Sequence, residues 1–151
     1  MSFGDTPITV IGNLTSDPEL KFTENGAALA KFTIAATPRV FDRESNQWKD
    51  GTATFFRCAA WRQLAEHAAD SLTKGSRVVA WGRIRQHDWK TDQGENRSML
   101  VLDVDEIGAS IRFTTVTINA KRPAQNAPAV ADDAWNTTAA SGKQESDEPP
   151  F

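Results

Sequence analysis

Aromatic rings and cationic side chains alternate along one stretch of the chain, between residues 39 and 89. Seven of the thirteen Phe and Trp residues (eight Phe and five Trp in all) lie there, and Arg and Lys residues are interleaved with them. Every nucleobase has a π-face, so exposed rings can hold an unpaired strand without reading its sequence, and cations along the same path neutralise its phosphates. The pattern predicts that the chain binds single-stranded DNA.

Strand alternation adds detail in the segment 53–61. Phe55, Arg57 and Trp61 share one parity, which puts an arginine between two rings on one face. Cys58 lies on the other parity, where a buried, unreactive thiol is expected. Rings packed in a core are the usual alternative for such a strand, but the interleaved arginine favours a binding face.

Four other rings of the stretch have to be weighed one by one. Phe41 and Trp48 lie in a polar loop; Phe41 is expected to bind DNA, whereas Trp48 either binds DNA or pins the loop. Trp89 lies at the far end of a long predicted hairpin, where burial is hard to arrange, and this favours binding. Trp81 is expected to pack or to lie in a subunit interface.

The formal net charge of −3 hides an uneven distribution. Residues 1–122 carry 16 basic and 15 acidic side chains, whereas residues 123–151 carry one Lys and five acids. The acidity therefore lies at the C-terminal end, and the preceding domain must concentrate its cations locally to hold DNA.

Other classes of protein fit less well. No apolar run approaches the roughly 18 residues of a membrane span, and the first residues lack a secretory signal, so we expect no membrane partner and a cytoplasmic location. Two His and one Cys, widely spaced, make no metal set, so we expect no cofactor and no enzyme activity. Asp103, Asp105 and Glu106 could be imagined as Mg²⁺ ligands of a nuclease, but strand alternation turns Glu106 to the opposite face.

Periodicity and turn signals predict an all-β domain with one helix. Strands are expected at residues 6–14, 28–37, 53–61, 77–90 and 97–107, a protruding hairpin at 39–52 and a helix at 62–72. A helix between the third and fourth strands is the order of the OB-fold, a five-stranded Greek-key barrel often used to bind oligonucleotides.

Smaller features complete the predicted fold. Gly12 and Gly82 predict a bulge and a kink within strands, and residues 111–120 alternate as a sixth strand would. From Arg122 onward, a composition rich in Ala, Pro, Asn and Thr predicts disorder.

A set of motifs in the chain resembles the bacterial single-stranded DNA-binding proteins. The resemblance covers residues 1–112 and then the C-terminal tip. The motifs that carry it are Val10-Ile11-Gly12-Asn13-Leu14, Asp17-Pro18-Glu19, Asn25-Gly26, Trp61-Arg62-Gln63-Leu64-Ala65-Glu66, Lys74-Gly75-Ser76, Trp89-Lys90-Thr91-Asp92 and residues 147–151.

This resemblance implies a homotetramer of OB-folds that wraps DNA around its outside and acts at the nucleoid. The segment after Gly108 looks like the extra strand with which homologues of high-GC Gram-positive bacteria clamp two subunits together. His87 and Asp88 depart from the family, which often has basic residues there. Together with the strand reasoning, the resemblance predicts the DNA-binding residues Phe41, Trp48, Phe55, Arg57, Trp61, Arg62, Lys74, Arg85, Trp89 and Arg97.

The C-terminal tip, residues 145–151, has a chemistry of its own. A terminal phenylalanine offers an apolar plug beside a carboxylate, neighbouring acids offer charge to a basic rim, and a Pro-Pro pair stiffens the peptide. A solubilising tail is the alternative, but the resemblance favours a peptide that recruits replication, recombination and repair proteins. The predicted partner-binding residues are Asp147, Glu148, Pro149, Pro150 and Phe151.

We therefore expect three parts in the chain. Residues 1–121 form a DNA-binding and oligomerisation OB-fold, residues 122–144 a disordered linker, and residues 145–151 the partner-binding tip. An RNA-binding OB module and a metal-dependent nuclease remain as alternative functions.

Overall fold

The structure, a computed structural model, describes residues 3–120. The elements in that range are the strands β1 (Pro7–Leu14), β2 (Glu19–Phe22), β3 (Ala28–Ala36), β4 (Arg39–Asp42), β5 (Gln47–Asp50), β6 (Thr54–Trp61), β7 (Arg77–Lys90) and β8 (Asn96–Ala109), and the helix α1 (Arg62–Ser71). Each of the five predicted strands and the predicted helix is present, with ends within two residues of those expected from the sequence.

Five of the strands close into a barrel. β1 pairs with β7, β7 with β8, β8 with β6, β6 with β3, and β3 returns to β1. The pairings are antiparallel except that of β6 with β8, which is parallel at Cys58 and Leu102. This order, with α1 between β6 and β7, is that of the OB-fold, so the predicted fold is confirmed.

Small and branched side chains fill the barrel. The strands contribute to the core cluster the side chains of Val10, Leu14, Ala28, Ala30, Phe32, Ile34, Cys58, Ala60, Val78, Ala80, Leu102 and Val104. Because successive side chains of a strand point to opposite faces, this inward set leaves the alternate residues of the same strands on the outer surface. The outer surface is where the predicted binding residues lie.

Two glycines allow strands to approach each other closely. A Cβ at Gly12 would collide with the carbonyl oxygen of Ala35, and a Cβ at Gly82 with that of Asp103. The β7–β8 register shifts at Gly82, so the predicted kink is confirmed. The pairing of β1 runs without a shift through Gly12, so the predicted bulge is wrong; this glycine instead lets β3 approach β1 where the barrel closes.

Helix α1 packs against β3 and β6. Ala65 and Ala68 are buried, and Leu72, also buried, donates its backbone N–H to the Ala68 carbonyl at 2.9 Å. Gly75, with φ +88°, then turns the chain towards β7. Within residues 3–120, no helix is long and apolar enough to cross a membrane.

Two hairpins carry rings away from the barrel core. β4 and β5 form a separate two-stranded sheet, as predicted for residues 39–52. β7 and β8 stay paired along their whole length, as far as Lys90 and Asn96 beside the turn. These hairpins present Phe41, Trp48 and Trp89.

The segment after β8 differs from its prediction. Residues 111–120 contain no strand in this single chain, so the predicted sixth strand is not formed here. A strand needs a partner edge to satisfy its backbone N–H and C=O groups, and no described strand pairs with this segment. Its first part lies against β7: Ser110 donates its backbone N–H to the Arg77 carbonyl at 2.8 Å, and the Arg77 guanidinium lies 5.2 Å from the Phe113 ring centroid.

Candidate nucleic-acid interface

All five rings predicted to stack on DNA lie on the surface of the protein. Their exposed fractions run from 37% for Trp89 to 64% for Phe55, with Phe41, Trp48 and Trp61 in between. The core alternative is therefore excluded for these rings.

A groove with a volume of 970 Å³ lies on the outer face of the barrel, bounded by residues of β2, β3, β6, β7 and β8 and of the loop after β1. We call it the barrel groove. Of the predicted DNA-binding residues, Arg57, Trp61 and Arg85 line it. Lys31 and His87 also line it, although the sequence analysis did not select them.

The two arginines of the barrel groove differ in their partners. Arg57 donates from Nη1 to the Met99 sulfur at 2.9 Å and has, among the described residues, no acidic partner within 4.0 Å. Arg85 is engaged by a carboxylate, since its Nε lies 2.6 Å from Asp103 Oδ2. Arg57 is therefore free to meet a phosphate, whereas Arg85 would have to break its ion pair with Asp103 to bind one.

A second, smaller pocket of 560 Å³ lies at the tip of the β7–β8 hairpin. Trp89 and Arg97 line it, and they are direct partners across the two strands. Arg97 also pairs with Glu95, with Nη2 3.2 Å from Oε2. A ring and a cation side by side form a suitable unit for one nucleotide, whose base stacks while its phosphate is neutralised.

One face of the β7–β8 hairpin joins the two pockets. Its residues alternate along β7 and are paired across to β8: Arg85 with Val101, His87 with Met99, and Trp89 with Arg97. The Arg57–Met99 contact connects this hairpin face to β6. The barrel groove and the hairpin face together form what we call the ring–cation track, which runs from Trp61 to Trp89.

His87 is the track residue that sequence reasoning missed. Its ring stacks on Trp89, with centroids 5.9 Å apart and planes inclined by 24°. The signal was available, because His87 has the same strand parity as Arg85 and Trp89. The resemblance implies a basic residue at this position, and a histidine gives a weaker indication of phosphate binding than a lysine or an arginine does.

The β4–β5 hairpin carries a separate pair of rings. Phe41 and Trp48 are cross-strand partners whose centroids lie 5.5 Å apart with planes at 65°, an edge-to-face arrangement. Lys49 pairs with Asp42, and this contact is the main reason that the pKa of the Asp42 carboxyl lies below its ordinary value. Neither ring lines the barrel groove or the tip pocket.

Three further candidates also lie outside both pockets. Phe55 is exposed at the start of β6, and Arg62 is exposed at the first position of α1 with φ +59°. Lys74 follows the helix, and its backbone N–H donates to Asp17 Oδ1 at 2.7 Å. Since Asp17 lines the barrel groove, Lys74 lies near the groove rather than in it.

Two of the three carboxylates considered for a nuclease, Asp103 and Asp105, are held by arginines. Asp105 accepts hydrogen bonds from Arg83 at 2.8 and 3.0 Å, and Asp103 pairs with Arg85. Burial raises the pKa of the Cys58 thiol to about 12, as expected for a packed thiol. Across residues 3–120, no group of three or more His, Cys, Asp or Glu side chains is placed to hold a metal ion.

Comparison with known proteins gives a consistent result. Residues 6–110 match the family described as "Single-strand binding protein family". The chain is 49% identical over 162 residues to a "Single-stranded DNA-binding protein" of Mycobacterium bovis, covering 98% of this chain and 99% of the relative. A protein with the same description from Paenarthrobacter aurescens is 56% identical over 116 residues, covering 77% of this chain and 68% of the relative.

A solved structure agrees with these relatives. The crystal structure of the small single-stranded DNA-binding protein from Streptomyces coelicolor superimposes with a TM-score of 0.62 at 33% identity. The match covers 72% of this chain and 97% of that one.

Proposed function

This chain belongs to the single-strand binding protein family, and from that premise we propose that it binds unpaired DNA without sequence preference, by stacking bases on exposed rings and neutralising phosphates with the cations between them. The observation that carries the proposal is the ring–cation track, on which rings and arginines follow one another on one continuous outer face. A flexible strand can follow such a track, whereas the paired bases of a duplex offer no free faces to it.

The rings supply most of the expected affinity. Base stacking on an aromatic side chain is worth about 1–3 kcal/mol per base by alanine substitution. Trp61 and Trp89 lie at the two ends of the track, and Phe55 is a further exposed ring on β6. The Phe41–Trp48 pair on the β4–β5 hairpin extends the same chemistry beyond the barrel. Stacking is tolerant of base identity, which accounts for the proposed lack of sequence preference.

The cations supply the dependence on salt. Arg57 is the proposed phosphate contact in the barrel groove, with Arg85 beside it and Arg97 at the hairpin tip. Arg62 and Lys74 would contact a strand as it leaves the groove. Each phosphate neutralised releases counterions, so binding weakens as salt rises.

Fluorescence quenching by poly(dT) tests the proposed function. Stacking of thymines on Trp61, Trp89 and Trp48 is expected to quench tryptophan emission at low salt, and added NaCl is expected to restore it. A poly(dA)·poly(dT) duplex is the matched control, because it offers phosphates without free bases. Absence of quenching, or quenching that salt does not reverse, would contradict the proposal. A clear preference for poly(U) in competition would favour an RNA-binding module instead.

We also propose that the chain assembles as a homotetramer, with residues 111–120 clamping subunits together. Ile11 and Val79 are direct partners on the outer face of β1 and β7 and are 49% and 39% exposed, with Trp81 half-buried on the same face. Apolar pairs on an outer sheet face are typical of interfaces. Light scattering measures the mass in solution, and a monomer at working concentration would contradict this part.

Residues 147–151 are the proposed site for replication, recombination and repair proteins, at the end of a linker formed by residues 122–144. Both segments lie outside the described residues, so this part rests on composition: acids, a Pro-Pro pair and a phenylalanine. In this proposal the domain at residues 1–121 holds DNA at the nucleoid, and the tip signals that the DNA is occupied.

A further inference from the structure

We propose that His87 is an additional DNA contact, and that its imidazole makes the affinity of the β7–β8 hairpin for DNA depend on pH. The inference rests on the function proposed above, because it concerns the same ring–cation track. It assigns a role to the residue at which this chain departs from the basic pattern of its family.

The position of His87 supports a contact. It lies on the hairpin face between Arg85 and Trp89, directly across from Met99, and it lines the barrel groove. The side chain is exposed, and its ring nitrogens have no hydrogen-bond partner among the described residues. A strand that runs along this hairpin face from the barrel groove to Trp89 therefore passes His87.

The stack with Trp89 fixes the direction of the imidazole. The two rings are nearly parallel, with centroids 5.9 Å apart and an interplanar angle of 24°. Together they present a platform of two rings to a nucleotide. A cation stacked on an indole face is attracted to it, so the protonated imidazole can stay on Trp89 while its N–H groups turn to a phosphate.

The charges around His87 nearly cancel. Acids slightly outnumber cations among the residues that line the two pockets or form the hairpin turn: Asp17, Glu19, Asp88, Asp92, Glu95 and Asp103 against Lys31, Arg57, Arg85, Lys90 and Arg97. Two of the arginines nearest to His87 are already paired, Arg85 with Asp103 and Arg97 with Glu95. One added proton thus changes the local balance from slightly negative to neutral.

Histidine is the side chain whose charge commonly changes between about pH 5 and 8. Neutral His87 offers DNA a ring face and one N–H, whereas protonated His87 also offers a charge to a phosphate. The gain expected from one exposed charge pair is about two- to fivefold in affinity per contact. The slope of log K against log salt should steepen by about 0.7 for each added contact to single-stranded DNA.

The test measures binding of a rhodamine-labelled oligo(dT) by the full chain at about pH 5.5 and about pH 8, on either side of the usual titration of histidine. Wild type is expected to bind more tightly, with a steeper salt dependence, at the lower pH. H87Q and H87F are expected to lose this pH dependence, and H87F to keep the ring platform. H87R is expected to bind tightly at both pH values.

His67 provides the matched control, because it is the other histidine of the chain and lies exposed on α1, away from both pockets. H67Q is expected to behave as wild type. Two outcomes would overturn the role of His87 and leave the proposed function standing. In one, H87Q keeps the full pH dependence of wild type; in the other, wild type binds equally well at both pH values. Failure of wild type and H87R to bind at either pH would overturn the proposed function, and this inference with it.

Discussion

Neighbouring cations on the same surface are not equally available to DNA. Arg57 rests on the sulfur of Met99, while Arg85 is held by Asp103 at 2.6 Å. The Arg85 side chain is exposed, so its ion pair with Asp103 adds little to stability, but the pair sets the charge that an approaching phosphate meets. Availability therefore differs between two arginines that look equivalent in the sequence.

A comparison of two variants tests this difference. Arg57→Gln is expected to lower the slope of log K against log salt by about 0.7, because one phosphate contact is lost. The double variant Arg85→Gln with Asp103→Asn replaces an ion pair of zero net charge by two uncharged side chains. It is expected to leave the slope near that of wild type. Oligo(dT) titrations over a range of NaCl concentrations measure both slopes. An equal loss in the double variant would mean that Arg85 leaves Asp103 for DNA.

The residues of the site were only partly predictable. Phe55, Arg57 and Trp61 share a parity on β6, and alternation alone directs all three outward, as observed. Which of these arginines meets an acid could not be predicted, because the Arg85–Asp103 pair depends on the β7–β8 register after the shift at Gly82. Their contacts with DNA stay a prediction.

At the scale of elements, the barrel depends on close backbone approaches as well as on its apolar core. β3 leaves β2 and meets β1 only at its second half, at Asn13–Ala35 and Leu14–Ile34. That closure requires Gly12, since any Cβ there meets the Ala35 carbonyl oxygen. The sequence indicated an unusual backbone at Gly12, but not that the cause was a neighbouring strand.

Alanine substitution at two glycines tests the closure. Gly12→Ala is expected to lower the free energy of unfolding by about 1–3 kcal/mol, because the barrel must open to fit the methyl group. Gly108→Ala is the control: it lies in β8 with open space around the position of a Cβ, and a change within about 0.5 kcal/mol is expected. Urea denaturation at equal protein concentration measures both, and light scattering shows whether assembly also changes. Equal effects of the two substitutions would contradict the role of Gly12.

For the whole molecule, the charge is distributed unevenly between the first 122 residues and the C-terminal segment. Residues 1–122 carry 16 bases and 15 acids, and residues 123–151 carry five acids and one base. We propose that the acidic tip competes weakly with DNA for the arginines of the ring–cation track. In this view DNA binding releases the tip for partner proteins.

Deletion of residues 147–151 tests whether DNA binding and partner binding belong to different parts of the chain. Oligo(dT) affinity is expected to stay equal or rise slightly, because a competing acidic segment is gone, while pull-down of replication and repair proteins is lost. A variant with the same five residues in scrambled order is the control. It keeps the charge, so it is expected to lose partner binding while its affinity for DNA stays that of wild type. A steep fall in DNA affinity on deletion would show that the tip has been misinterpreted.

The sequence by itself determined the class of fold, the outward direction of the rings and the location of the acidic charge, because alternation, turn residues and composition act over short distances along the chain. The tertiary structure decided the rest: the continuity of the ring–cation track, the stack of His87 on Trp89, the partners of Arg57 and Arg85, and the structural role of Gly12. These features depend on which distant strands meet and in what register. Periodicity sets the face on which a side chain lies, but the packed barrel sets what it meets there.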